Sequence, residues 1–198
     1  EPQYQNHKLL LKNIKDNELR NIEILKVAVS SKEGKAYMNT FDKNMISNYG
    51  DSKIFNFNFE NAERVNVKTI DQLFYDDVEE KKSIKLIKCD AQGQELNIVL
   101  GSRKIIDIYK PFLYLENDDI NTSKSLIEEI KHMGYIMFWH LPPLYNPNNF
   151  LQNTNNVFPK IISCNMFCFH HTSKVKLNNL WKKLEITDSN YHPLKKIK

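Results

Sequence analysis

Glycine is scarce in this chain of 198 residues, which holds only Gly34, Gly50, Gly93, Gly101 and Gly134. No two stand close enough to form a GxGxxG or Walker-type loop, so a complete phosphate-cradling fingerprint is missing and any nucleotide-type function has to explain that. Arginine is rarer still, at Arg20, Arg64 and Arg103. Nucleic-acid binding calls for clustered Arg and Lys with interleaved aromatics, and nothing of that kind stands out. No apolar run approaches the roughly 18 residues that a membrane span needs. The three cysteines, Cys89, Cys164 and Cys168, leave one unpaired in any disulfide scheme, and no signal-peptide pattern is visible. Both point to a reducing, cytoplasmic setting, with neither nucleic acid nor membrane as partner.

What is present is enough for one domain. Hydrophobic residues make up 41% of the chain, so a core can be buried and wholesale disorder is excluded. The net charge of +4 is uneven: from Lys174 onward seven lysines face only Glu185 and Asp188, and the remainder is slightly acidic. The basic end, 174–198, reads as a short helix and a solvated tail.

Periodicity predicts a helix over 4–16, a strand over 22–30, a turn at 31–34, a return strand over 35–40 and a long Asn-rich excursion over 41–62. A short strand over 64–69 and a helical turn over 70–74, capped by Thr69 or Asp71, follow. The middle is more regular. SIKLIKCD (83–90) reads as a strand and 94–108 as a helix with Leu96, Val99 and Leu100 on one face. PFLYLEN begins the next strand at Pro111. A helix capped by Asn121 or Thr122 turns Leu126, Ile127, Ile130 and Met133 inward and ends at Gly134. Strands over 135–141 and 161–169 flank a Pro/Asn-rich loop, and a helix covers 175–184. This alternation predicts a mainly parallel α/β sheet with helices on both faces and no internal domain boundary. Ligands then sit at the carboxyl ends of the strands.

The residues at those ends carry the candidate chemistry. In KCDAQGQE, Asp90 stands at a strand end before a Gly turn, either facing a ligand or capping the next helix. In LENDD, Glu116, Asn117 and the following acids can act as base, hold a hydroxyl, bind a hard cation, or simply form a polar capped loop. In FWHLPPLYNPNNF, His140 is a candidate general base or a structural histidine. Tyr145 and Asn149 belong to an aromatic and amide wall suited to a polar substrate such as a sugar. Cys164 and Cys168 on one strand would lie roughly 13 Å apart at about 3.3 Å per residue. That is too far for one zinc ion with thiolate bonds of about 2.3 Å, and buried apolar cysteines are expected instead. Glu1, by position, resembles a ribose-gripping acid or is only a terminus.

Taken in order, EP at the start, VAVSSKEG, TIDQLF, IKLIKCDAQGQELNIVLGSRKII, KPFLYLEN and HMGYIMFW resemble the FkbM-type methyltransferase family. The resemblance implies a Rossmann-like methyltransferase domain over 1–173: a mostly parallel sheet with an antiparallel last strand. It implies an S-adenosylmethionine-dependent O-methyltransferase acting on a hydroxyl of a sugar, glycan or natural-product scaffold. On this mapping Glu1, Ala28 and Asp90 bind the cofactor. Asp90, Glu116 and His140 are the catalytic candidates, and Asn117, Tyr145 and Asn149 contact the substrate. A variant has Mg²⁺ on Asp90, Glu116 and Asn117. The family's first strand and Gly-rich loop would precede Glu1, and Gln92 stands where many members have Glu. This segment alone is therefore expected to bind S-adenosylmethionine weakly, with an exposed sheet edge; calorimetry beside an upstream-extended version tests that. The rival reading is a degenerate, non-catalytic homologue that binds a glycan or a partner.

Overall fold

The computed structural model describes residues 1–40, 53–74 and 83–196. The Asn-rich excursion expected over 41–62 lies outside the described residues up to 52. The chain forms two compact units, one of Glu1–Lys82 with Asn97–Ile105 and the other of Ser83–Leu96 with Ile106–Lys198.

The first unit opens with α1 (Tyr4–Asp16), as the periodicity predicts. Glu63 takes the Tyr4 backbone N–H at 3.0 Å, placing an acid at the positive end of the helix. Leu9, Leu10 and Leu11 nevertheless stay exposed. The strands are β1 (Ala28–Val29), β2 (Gly34–Asn39), β3 (Ile54–Phe55) and β4 (Ala62–Lys68), in the order β1-β4-β2-β3. The strand expected over 22–30 is only two residues long, because it meets a ladder partner only where β4 ends, Ala28 against Val67 and Val29 against Lys68. Alternation gives this sheet its core of Ala28, Ala36, Met38, Val65 and Val67. Helix α2 (Ile70–Leu73) is closed by a capping box between Thr69 and Gln72.

The second unit holds β5 (Leu86–Cys89), β6 (Phe112–Glu116), α5 (Ile120–His132), β7 (Tyr135–His140), β8 (Asn165–His170) and α6 (Asn179–Lys182). Between β5 and β6 the expected helix over 94–108 is two helices, α3 (Glu95–Leu100) and α4 (Arg103–Tyr109). The break falls at Gly101, where an added Cβ would lie 2.3 Å from the Ser30 carbonyl oxygen. Ser102 turns its hydroxyl back onto the Ile98 carbonyl at 2.5 Å.

Strand order is β5-β6-β8-β7; β5 and β6 are parallel, and the last strand β8 runs antiparallel to both neighbours. The described sheets are thus mixed rather than mostly parallel. One face of the second sheet is fully buried through Leu113, Leu115, Met137, Met166 and Cys168. Helix α5 packs on β7 and buries Leu126, Ile127 and Ile130. Its cap is Asp119, accepting from the Asn121 N–H at 2.9 Å, rather than Asn121 or Thr122. Gly134 ends it at φ +82°, as expected. The other face carries stacked pairs, Phe112 on Phe167 and Phe138 on Phe169.

The expected strand over 161–169 is Asn165–His170, with Ile162 making only a bridge to Pro143. The helix over 175–184 is one turn, capped by Asn178. In the basic end Ile186, His192 and Pro193 are buried, while Lys174, Lys176, Lys182, Lys183 and Lys195 stay exposed. Trp139 N–H donates to the Leu184 carbonyl at 2.9 Å and Ile186 N–H to the Met137 carbonyl at 2.8 Å, which extends the ladder beyond β7. All three cysteines are free and buried, and loss of hydration pushes the Cys89 and Cys164 thiols up to about 12. No helix among the described residues is long and apolar enough to cross a membrane.

Candidate active site

Strand register in the second unit assembles one edge. Glu116 pairs with Asn165, and Asn165 with His140, so the ends of β6, β8 and β7 lie in one row. Asp90 follows Cys89, which pairs with Leu115, and so falls beside Glu116. The structure therefore brings together the three catalytic candidates Asp90, Glu116 and His140. Lys88 and Tyr114 lie two residues back on the same face, as period-two alternation demands.

These side chains are engaged with one another. The Lys88 ammonium is 2.9 Å from the Asp90 carboxylate. The Tyr114 hydroxyl is 2.7 Å from His140 Nδ1. Asp90 is not the cap of the following helix. The turn that follows it is held by Glu95, the buried first residue of α3, which accepts the Ala91 N–H at 2.8 Å and the Gly93 N–H at 3.3 Å. The turn between them has Gln92 at φ +51° and Gly93 at φ +87°. The first of these is a conformation that a side chain tolerates only when the surroundings hold it.

Glu116 is the most perturbed acid on this edge. Burial first, then Asp118, Asp90 and Glu95, push its carboxyl up to about 7. Its Oε2 is buried without a hydrogen-bond partner among the described residues, so the charged form is poorly supported. When protonated, it can donate to Asp90. Burial also raises the Glu95 carboxyl and the Tyr114 hydroxyl. A carboxyl that titrates near neutrality at a strand end can take or give a proton under ordinary conditions.

The arrangement does not suit the Mg²⁺ variant. Among the described residues no three His, Cys, Asp or Glu are grouped to hold a metal ion. Asn117 is buried, and its amide nitrogen goes to the Met166 sulfur at 3.1 Å. Asn149 is likewise committed: its amide donates to the Asn146 and Asn153 carbonyls and accepts the Asn153 N–H. Tyr145 donates its hydroxyl to the Asn153 carbonyl at 3.0 Å. Both residues serve the loop that holds them.

The family model for the methyltransferase FkbM domain matches residues 1–137. The chain belongs to the FkbM methyltransferase family. No curated protein and no solved structure matches it. The FkbM match includes Asp90, Glu95, Tyr114 and Glu116 and ends within β7, leaving His140, Asn165 and the C-terminal segment beyond it.

Of the cofactor candidates in this FkbM chain, Glu1 is exposed and its Oε1 accepts the Gln3 N–H at 2.8 Å. Ala28 is buried in the first sheet's core, paired with Val67. Sequence reasoning missed Tyr114 and Glu95 as members of the edge. Alternation from Glu116 would have found Tyr114, and the Gly turn after Asp90 pointed to Glu95. An open cleft of about 660 Å³ in the first unit, lined by Ser31, Lys32, Glu33, Thr69, Asp71, Gln72 and Lys104, contains none of the candidates.

Proposed function

We propose that this chain is an S-adenosylmethionine-dependent O-methyltransferase that acts on a hydroxyl of a sugar, glycan or natural-product scaffold. The observation that carries the reading is the edge formed by Asp90, Glu116 and His140, with a Glu116 carboxyl titrating near 7. Family membership supports methyl transfer as the reaction. Asp90 is the group on this edge suited to face S-adenosylmethionine, which supplies an electrophilic methyl group when bound.

The protein's own part is to position a hydroxyl and remove its proton. Ionised Glu116, or His140 through Nε2, accepts that proton as the oxygen attacks. Lys88 keeps the Asp90 carboxylate paired and oriented. Aromatic rings on the same face, Phe112 and Phe167 among them, offer an apolar surface to a sugar ring. Three free, buried cysteines accord with the cytoplasmic setting proposed with this function.

The test is transfer of a labelled methyl group from S-adenosylmethionine to a panel of sugars, glycans and hydroxylated scaffolds, in the presence and absence of EDTA. Asp90→Asn and Glu116→Gln are each expected to lower turnover by about 10²–10⁴-fold. Normal turnover in both variants sinks the assignment of this edge. Glycan capture without transfer to any acceptor makes the chain a binding homologue.

A further inference from the structure

His192 lies in the lysine-rich end of the chain, outside the family match, yet it is only 2% exposed. Its Nε2 is 2.9 Å from the Asn117 carbonyl oxygen, and its Nδ1 is 3.2 Å from the Leu194 N–H. A carbonyl can only accept and an amide N–H can only donate. The imidazole must therefore be neutral, with its proton on Nε2, and both ring nitrogens are used. The ring meets Trp139 edge-on at 5.2 Å. The segment reaches this place because Leu184–Ile186 has added to the open edge of β7.

The carbonyl that His192 holds belongs to the peptide joining Asn117 to Asp118. Asn117 is already tied by its N–H to the Cys164 carbonyl at 2.8 Å and by its amide to Met166. The bond from His192 fixes the remaining freedom, the rotation of that peptide plane, and with it the place of Asp118. Asp118 is the charge that acts most on Glu116.

We infer that His192 is a positioning residue: by clamping the Asn117 carbonyl it fixes the peptide that leads into Asp118, so that the C-terminal segment is part of the acid edge. Its bearing on turnover rests on the methyltransferase reading; the clamp and its effect on Glu116 do not.

The experiments therefore use the whole chain without cofactor or acceptor. Nitrogen-15 NMR of the wild-type imidazoles is expected to show His192 protonated on Nε2 alone with a slowly exchanging proton. A freely exchanging mixture of tautomers overturns the clamp. Carbon-13 NMR of the Glu116 carboxyl then reads its midpoint. His192→Phe keeps a ring against Trp139 but removes the donor, and is expected to lower that midpoint by about one unit or more. His192→Gln, whose amide can reach the carbonyl, is expected to restore most of it. A midpoint unmoved in His192→Phe, with only a lower Tm, reduces His192 to a structural residue and overturns the proposal. Should His192→Phe not fold, Asp118→Asn decides: its Glu116 midpoint must also fall, and an unchanged one overturns the inference. Failure to find methyl transfer leaves all these readouts intact.

Discussion

The Tyr114 hydroxyl and His140 Nδ1 lie 2.7 Å apart across β8, the strand between β6 and β7, where Phe167 pairs with Tyr114 and Asn165 with His140. Burial raises the pKa of the Tyr114 hydroxyl, so it keeps its proton at neutral pH. It can give that proton to Nδ1, which leaves Nε2 as a donor, or accept one from Nδ1, which frees the Nε2 lone pair. Only the second arrangement lets His140 take a proton from an acceptor. If His140 is the base, Tyr114→Phe should lower kcat by about 10-fold and His140→Gln by about 10²–10³-fold. In the His140→Gln background, Tyr114→Phe should cost nothing more, because the pair acts as a unit. Losses that simply multiply would show that the two residues act apart.

Glu116 makes the opposite demand on pH from an ordinary surface acid. Its folded carboxyl titrates near 7, against 4.5 for an unperturbed glutamate. Between those values the folded state holds a proton that the unfolded state has released. The contribution to stability is therefore full below about 4.5 and is lost as pH rises through about 7. Glu116→Gln cannot lose that proton, so it should exceed wild type in stability at pH 8 by about 1 kcal/mol, after discounting for solvent screening of a partly exposed group. That corresponds to about 2–4 °C in Tm. At pH 4 the two should melt together. Calorimetry at both pH values checks this, and a gain that is the same at both would remove the explanation by titration.

Gly101 stands where backbone meets backbone. A Cβ there would lie 2.3 Å from the Ser30 carbonyl oxygen and 3.2 Å from the Ser31 Cα, neither of which is a flexible side-chain end. The usual benefit of replacing a helix-end glycine is absent at this position. Gly101→Ala should destabilise the chain by about 1–3 kcal/mol, the range for forced overpacking. Gly34→Ala, which meets nothing within 4 Å, is the matched control and should stay within about 0.5 kcal/mol. Urea unfolding of the two variants compares them directly.

The edge carrying Asp90, Glu116 and His140 was legible because each ends a strand whose apolar run is bounded by a turn, and strand ends gather on one side of a sheet. Tyr114 was hidden by the same pattern, since an aromatic residue inside a strand reads as core. The division into α3 and α4 was not legible from Leu96, Val99 and Leu100. The reason for it is the approach of Ser30, distant in sequence. The two-residue β1 likewise depends on where β4 stops. His192 gave no local signal: lysines surround it, and its partner Asn117 lies 75 residues away. Asn117 and Asn149 read as substrate contacts because amides suit sugars, but sequence does not show that an amide is already taken.

Glu95 separates charge from support at the turn that carries Asp90. Its carboxylate accepts two N–H groups, those of Ala91 and Gly93, and its charge is one of those that raise Glu116. Glu95→Ala removes both functions and leaves two donors without their acceptor. It should cost about 1–3 kcal/mol and lower Tm accordingly. Glu95→Gln keeps an oxygen acceptor but removes the charge, so it should melt within a few degrees of wild type. Both variants should move the Glu116 midpoint downward, because both take away the same neighbouring charge. Carbon-13 titration and thermal melts of the pair read the two effects independently. A Glu95→Gln midpoint that stays near 7 would mean that Asp118, Asp90 and burial alone hold Glu116 up, and that Glu95 serves the turn and nothing else.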